Sequence, residues 1–268
     1  MEIFRRAFNP WNQEVLIGIS WNLMWLAIIF SGLFVVGHIV WARIRGSGDG
    51  EPAVSGDTTG LPEKILRHAF SSRVFHWAMT VWMFVLLITA FLPVIGVKFG
   101  WVTIHWIAGV LLTLTILYHM VQATFFQDFR SMIVNREDVE AGKAELKRAL
   151  GKEVVEPEKA GKYPVDHKVY HHAASIVTLA AIVTGILMMF RVDTWFWARN
   201  PYMLSDQLWG VVYVLHGLSG VGLIGLVTAH VYFAIRPEKR WITWSMVHGF
   251  ITREKFAENH DPKRWVIK

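Results

Sequence analysis

Apolar residues in this chain run in long stretches separated by polar ones. Five stretches, at about 14–42, 74–95, 102–126, 170–190 and 209–235, predict helices long enough to cross a bilayer. Residues 1–13 read as a short amphipathic lead-in with Arg5, Arg6 and Trp11. Residues 43–62, rich in Gly, Asp, Ser, Pro and Thr, read as a flexible connection. The polar stretch 127–169 has surface-helix spacing over about 136–150. The predicted organisation is an extra N-terminal transmembrane helix over 1–45, a flexible linker over 46–66, a four-helix unit over 67–240 and a basic tail over 241–268. The fold class is an all-α membrane protein.

Composition sharpens this picture. The chain is 53% hydrophobic with 14 Trp and 17 Phe in 268 residues, too apolar in runs too long for an ordinary soluble domain. The net charge of +6 gathers in particular loops, which points to membrane orientation and contact with anionic lipid rather than to nucleic acid. Lys and Arg number 5, 9 and 8 in residues 43–73, 127–169 and 236–268, against 2, 1 and 2 in the N-terminus and the other two loops. The first set is therefore expected in the cytoplasm and the N-terminus outside, in a bacterial inner membrane. With no cysteine, the chain itself has no disulfide, iron–sulfur cluster or c-type haem attachment.

Two segments read almost as copies. His105-Trp-Ile-Ala-Gly109-Val110 leads to His119, and His216-Gly-Leu-Ser-Gly220-Val221 leads to His230. The fourteen-residue spacing places both His of a helix on one face, about 21 Å apart along the axis. Two such helices offer imidazole pairs at two depths, each able to hold a flat cofactor edge-on, and the Gly residues leave room for a large ring. A lone His in an apolar helix is commonly just a packed, hydrogen-bonded residue. Four in matched pairs on apolar spans point to function, because polar groups there are costly. The expected unit is a four-helix transmembrane haem bundle with two haem b groups. By depth, His105 faces His216 at the outer side. His230, at the inner side, has two candidate partners, His76 and His119, which spacing does not separate.

Residues 67–268 resemble the cytochrome b (gamma) subunit of membrane-bound formate dehydrogenases. The resemblance rests on Arg73-Val-Phe-His76-Trp77, His105 with Gly109, Gly161-Lys162-Tyr163, and His216 through His230-Val-Tyr232-Phe-Ala234. The tail adds Met246-Val-His-Gly249-Phe-Ile-Thr252-Arg253, Ala257 and His260-Asp-Pro262-Lys-Arg264-Trp265. The resemblance implies His76 as the fourth ligand, giving His105 with His216 and His76 with His230. The chain departs from the family in three ways. Its first helix is extra, and it carries His119 together with His171-His172, a set that offers ligands for a third haem. It also has Pro-Val-Asp166-His167-Lys168 where the family has Asn-x-Gly near its quinone.

Quinone reduction consumes protons as well as electrons, so the titratable Tyr163, Asp166 and His167 are candidate quinone contacts, the alternative being a solvated loop with Asp166 capping the next helix. Arg67, Arg73 and Lys162 are candidates to pair with haem propionates. The expected function is a membrane-anchored dihaem cytochrome that carries electrons from an outer-side partner to quinone as mobile substrate. Bis-His ligation leaves no open iron position, so substrate chemistry is expected on another subunit, of molybdenum or nickel–iron type, connected through an iron–sulfur subunit. Rival readings are the cytochrome anchor of a hydrogenase, thiosulfate reductase or other molybdoenzyme, and a non-redox helical transporter. A transporter should carry acidic residues inside its spans, and residues 74–126 and 170–190 contain none.

Overall fold

In the computed structural model, which describes residues 2–44, 60–154 and 159–267, the chain is mostly helical. Five long helices have the length and apolarity of membrane spans: α1 (Trp21–Ile44), α2 (Phe70–Phe91), α3 (Trp101–Phe126), α5 (Val165–Met189) and α6 (Asp206–Ile235). Between 11% and 22% of their most apolar windows is buried, so most apolar side chains face outward, as they do in proteins whose solvent is lipid. The predicted surface helix is α4 (Arg136–Ala149). Asn135 caps it, with side-chain and backbone bonds exchanged with Asp138 at 2.9 Å each.

The first span begins later than the hydrophobic run implies. Residues Phe4–Phe8 (β1) and Glu14–Ile19 (β2) pair as an antiparallel hairpin, and α1 starts only at Trp21. Asn9 folds the turn, its Oδ1 accepting from the amides of Trp11 and Gln13, and Asn12 sits at φ 58°. The β-branched Val15, Ile17 and Ile19 alternate with other residues and suit a strand. The all-α expectation is amended accordingly. A second hairpin joins β3 (Lys64–Leu66) to β4 (Phe250–Thr252). Most of the predicted linker lies outside the described residues, and its last residues form β3.

The chain divides into two compact units. The first comprises the residues up to Ile39 with Trp77–Leu117 and Ala174–Val231. Its core joins Met83 of α2, Leu112 of α3 and Leu223 of α6, with Val177 and Ala181 of α5 packed against them. The added helix is part of this unit, since Trp25 packs edge-on against Phe91 with ring centroids 5.3 Å apart. The hairpin docks here as well. A Cβ on Gly210 would stand 2.7 Å from the Leu16 backbone oxygen, so only glycine admits β2 against α6.

The second unit comprises Val40–His76, Tyr118–Ala173 and Tyr232–Lys268. Its tail is folded rather than loose. After α6 come α7 (Arg240–His248), β4 and α8 (Arg253–Asn259), and Ile65, Ile251, Phe256 and Trp265 form one core. Gly249 ends α7 at φ 94°, and its carbonyl accepts from the amides of Arg67 and His68. Arg67, 1% exposed, donates to His260 Nε2 at 2.9 Å, and His260 Nδ1 donates to the Gly161 carbonyl at 2.7 Å. Below them Asp138 and Lys168, 3% and 5% exposed, pair at 2.6 Å, with Arg264 on the other carboxylate oxygen at 3.4 Å.

His260 makes the tail pH-sensitive. Both its nitrogens are used in the neutral form, and a second proton would meet the Arg67 guanidinium. Burial, followed by Arg67, pushes its pKa down to about 4. Because the unfolded imidazole binds its proton first, near pH 6.5, stability from this residue is complete above that value. It is lost as pH falls toward 4, by on the order of 3 kcal/mol. The hydrogen-exchange protection of residues 240–267, with the intrinsic pH dependence of amide exchange divided out, should fall from pH 6.5 to 4 in the unsubstituted protein. His260→Gln should flatten much of that dependence. His68, pushed down to about 3 by burial and then by Arg67, will keep a remainder.

Candidate functional site

Two of the expected ligands meet within the first unit. The rings of His105 on α3 and His216 on α6 stand with centroids 6.2 Å apart and planes at 75°. Each has one nitrogen held. Thr89 on α2 donates its hydroxyl proton to the Val85 carbonyl at 2.7 Å, so its oxygen accepts from His105 Nδ1 at 2.8 Å. Thr184 on α5 does the same, donating to the Ala180 carbonyl at 2.6 Å and accepting from His216 Nδ1 at 3.0 Å. A proton on each Nδ1 fixes the tautomer and leaves each Nε2 as a lone pair.

That spacing is what a shared metal ion requires. Two imidazoles bound on opposite sides of one ion have centroids roughly 6.4 Å apart, from bonds of ~2.0 Å plus about 1.2 Å to each ring centre. Rotation about the common axis leaves the ring planes free to cross at any angle. Gly220, one turn after His216, has no atom within 4 Å of where a side chain would begin. Gly185 is tighter, because a Cβ there would lie 3.3 Å from His216 Cε1.

A second opposed pair lies in the second unit, between His119 of α3 and His171 of α5. Their centroids are 6.3 Å apart at 65°, and Phe75 stacks flat on His119 at 3.9 Å. Here the nitrogens are used differently, for Nδ1 of both rings is buried without a hydrogen-bond partner. His172 adjoins His171 at 5.7 Å and its Nε2 donates to the Met132 carbonyl at 3.1 Å.

The other expected residues are divided between the two units. His76 is half-buried in the second unit, and His230 is exposed in the first. Arg73 donates to the Val247 carbonyl at 2.7 Å and keeps a buried Nε without a partner. A cavity of about 420 Å³ in the second unit is lined by Arg130, Lys162, Tyr163, Lys168, Arg264 and Asp128, among others. Tyr163 thus lines it, whereas Asp166 and His167 do not; Asp166 is exposed in the first turn of α5 and accepts from the His167 amide. Burial raises the Tyr163 phenol. The Lys162 ammonium is held below its ordinary range by burial and then by Arg67. Arg67 is itself lowered to about 10 by burial. These partly dehydrated cations favour an anionic neighbour.

Outward-facing apolar spans that bring together two imidazoles, each with Nδ1 bonded and Nε2 left over, define an integral membrane protein equipped to ligate a metal. Comparison with known proteins makes the class specific. Residues 67–249 match the family model of prokaryotic cytochrome b561, and the chain belongs to that family. It is also 25% identical over 230 residues to the formate dehydrogenase, cytochrome b556 subunit, of Haemophilus influenzae, a match covering 79% of this chain and 84% of the relative. The group to be held is therefore haem b, and His105 and His216 fit it: they are tautomer-fixed, and their rings are separated by one metal ion's span.

Thr89 and Thr184 were not among the expected site residues. Thr184→Val preserves shape and removes the acceptor for His216 Nδ1–H. It should weaken haem retention at that site by about 10- to 100-fold, read as haem lost per chain during titration with apomyoglobin as acceptor. Gly185→Ala, which pushes on the His216 ring, should lower retention as well. Full retention in both variants would remove the assigned role of the threonine.

Proposed function

We propose that this chain is a dihaem b cytochrome that carries electrons between an outer-side redox partner, formate dehydrogenase-like, and the membrane quinone pool. His105 and His216 ligate one haem and His76 and His230 the other. The observation that carries the reading is the 6.2 Å opposition of two imidazoles whose Nδ1 protons are taken by threonines. Haem bound between two imidazoles supplies reversible one-electron transfer and keeps no open position for substrate. Primary catalysis accordingly belongs to a molybdenum-type or nickel–iron subunit, reached through an iron–sulfur subunit. The similarity to a formate dehydrogenase cytochrome subunit supports formate as the donor's substrate.

His76 is preferred to His119 as fourth ligand because His119 already faces His171 and is stacked on Phe75. Arg73, with its buried Nε unpartnered, is the propionate-binding residue. Quinone binds beside Tyr163, with Asp166 and His167 at the mouth of the site. The basic connection and tail lie on the cytoplasmic side of a bacterial inner membrane, with the N-terminal hairpin outside. Protons taken up inside against electrons arriving from outside make turnover electrogenic.

The complex purified from membranes should carry two haems b per chain by pyridine haemochrome assay. His105→Ala or His216→Ala should remove one, and His76→Ala or His230→Ala the other, while His119→Ala should remove none. A full haem complement in the His216→Ala protein would sink the assignment.

A further inference from the structure

The cavity of about 420 Å³ in the second unit carries positive charge that the chain leaves unbalanced. Among the described residues four cations line it, Arg130, Lys162, Lys168 and Arg264, against one acid, Asp128. Two of the four are already matched. Lys168 reaches Asp138 at 2.6 Å, and Arg264 reaches Glu137 at 3.0 Å and Asp138 at 3.4 Å. Arg130 and Lys162 have no ion-pair partner among the described residues. Burial and then Arg67 hold the Lys162 ammonium below its ordinary range, against a smaller lift from Asp128. Arg67 is 1% exposed, donates to neutral His260 rather than to a carboxylate, and keeps an unpartnered Nε. Its charge therefore adds to the excess.

The other edge of the cavity is apolar. Ile133 lines it and is 49% exposed. Phe129, 59% exposed, opens the short turn Phe129–Met132 and sits between the lining residues Asp128 and Arg130. Phe125 and Phe126, 75% and 80% exposed, close α3, the span from which this turn continues. Large apolar side chains exposed at the end of a membrane span lie where acyl chains meet headgroups. A ligand here meets cations and hydrocarbon together. Free phosphate uses only the cations, and the ammonium of a zwitterionic lipid cancels much of the attraction. An anionic phospholipid uses both. The volume lies within the roughly 300–1,000 Å³ of small-ligand pockets. It suits a phosphoglycerol headgroup whose acyl chains run outside, over the phenylalanines.

We propose that this cavity binds the phosphodiester headgroup of an anionic phospholipid, with Arg130 and Lys162 on the phosphate and Phe129 and Ile133 against the acyl chains. Arg130 offers a planar fork to two phosphate oxygens, and Lys162 a compact charge. Tyr163 is the lining residue shared with the proposed quinone contacts, and Asp166 and His167 are not part of the lining. The lipid site does not depend on the direction of electron flow.

The test uses the complex purified in mild detergent and counts bound lipid by native mass spectrometry. The probes are dioleoylphosphatidylglycerol, dioleoylphosphatidylcholine with the same acyl chains, and sn-glycerol 3-phosphate with charge but no chains. Phosphatidylglycerol should fill one site per chain and bind on the order of 10-fold more tightly than phosphatidylcholine. Glycerol phosphate should stay unbound at the same concentration. Arg130→Gln and Lys162→Gln should each weaken phosphatidylglycerol binding by about 5-fold, with the haem count of Arg130→Gln marking an intact fold. A tenfold rise in ammonium acetate should weaken it in the unsubstituted complex and leave phosphatidylcholine unmoved, which keeps the test open if a variant does not assemble. Equal binding of the two lipids overturns the site. So does phosphatidylglycerol binding that neither substitution changes, or that salt leaves unmoved. Glycerol phosphate bound as tightly as phosphatidylglycerol would make the cavity a site for free phosphate esters and overturn the lipid assignment.

Discussion

An imidazole inside an apolar span has two nitrogens to satisfy, and no water from the surrounding lipid to satisfy them. That constraint sorts the histidines of this chain. Where a threonine on a neighbouring helix accepts from Nδ1, the other nitrogen keeps its lone pair. The threonine can do this because its own proton goes to the carbonyl one turn back, at 2.7 Å for Thr89 and 2.6 Å for Thr184. Two helices that carry neither imidazole of this pair, α2 and α5, thereby fix the tautomers on the two that do.

The same economy governs the second unit. Arg67 and His260 are 193 residues apart in the chain and bury each other, with the Gly161 carbonyl taking the remaining imidazole proton. Asp138 carries an opposed load, in which burial pushes its carboxyl up while the Asn135 amide, Lys168 and Arg264 more than offset that push. Removal of one partner from such a set leaves a buried charge uncompensated, typically costing 3–5 kcal/mol. The tail is therefore folded, its buried Arg67 and His260 tied to partners far away in the chain.

The five apolar spans were legible because a run of twenty apolar residues has few solutions other than a membrane helix. The facing of His105 and His216 was legible for a similar reason, a matched motif on two spans. The N-terminal hairpin was not, because Val15, Leu16 and Ile17 are as apolar as the helix they precede; the turn residues Asn9, Pro10 and Asn12 were the available signal. The folded tail left no local trace, since Gly249 and Phe256 find partners near residue 65, far back in the chain. Thr89 and Thr184 carry no motif at all. A hydroxyl in a span is ordinary until a nitrogen is placed 3 Å from it.

The fourteen-residue repeat deserves less symmetry than its spacing suggests. His105 and His216 occupy equivalent places and oppose each other, yet their companions part ways. His119 lies against Phe75 and faces His171, while His230 belongs to the other unit. Spacing along a helix fixes only which side a residue presents. The partner of the second nitrogen decides what that residue can do, and it comes from a different helix each time. Under the ligation proposed here, one repeat helix supplies two ligands and the other supplies one.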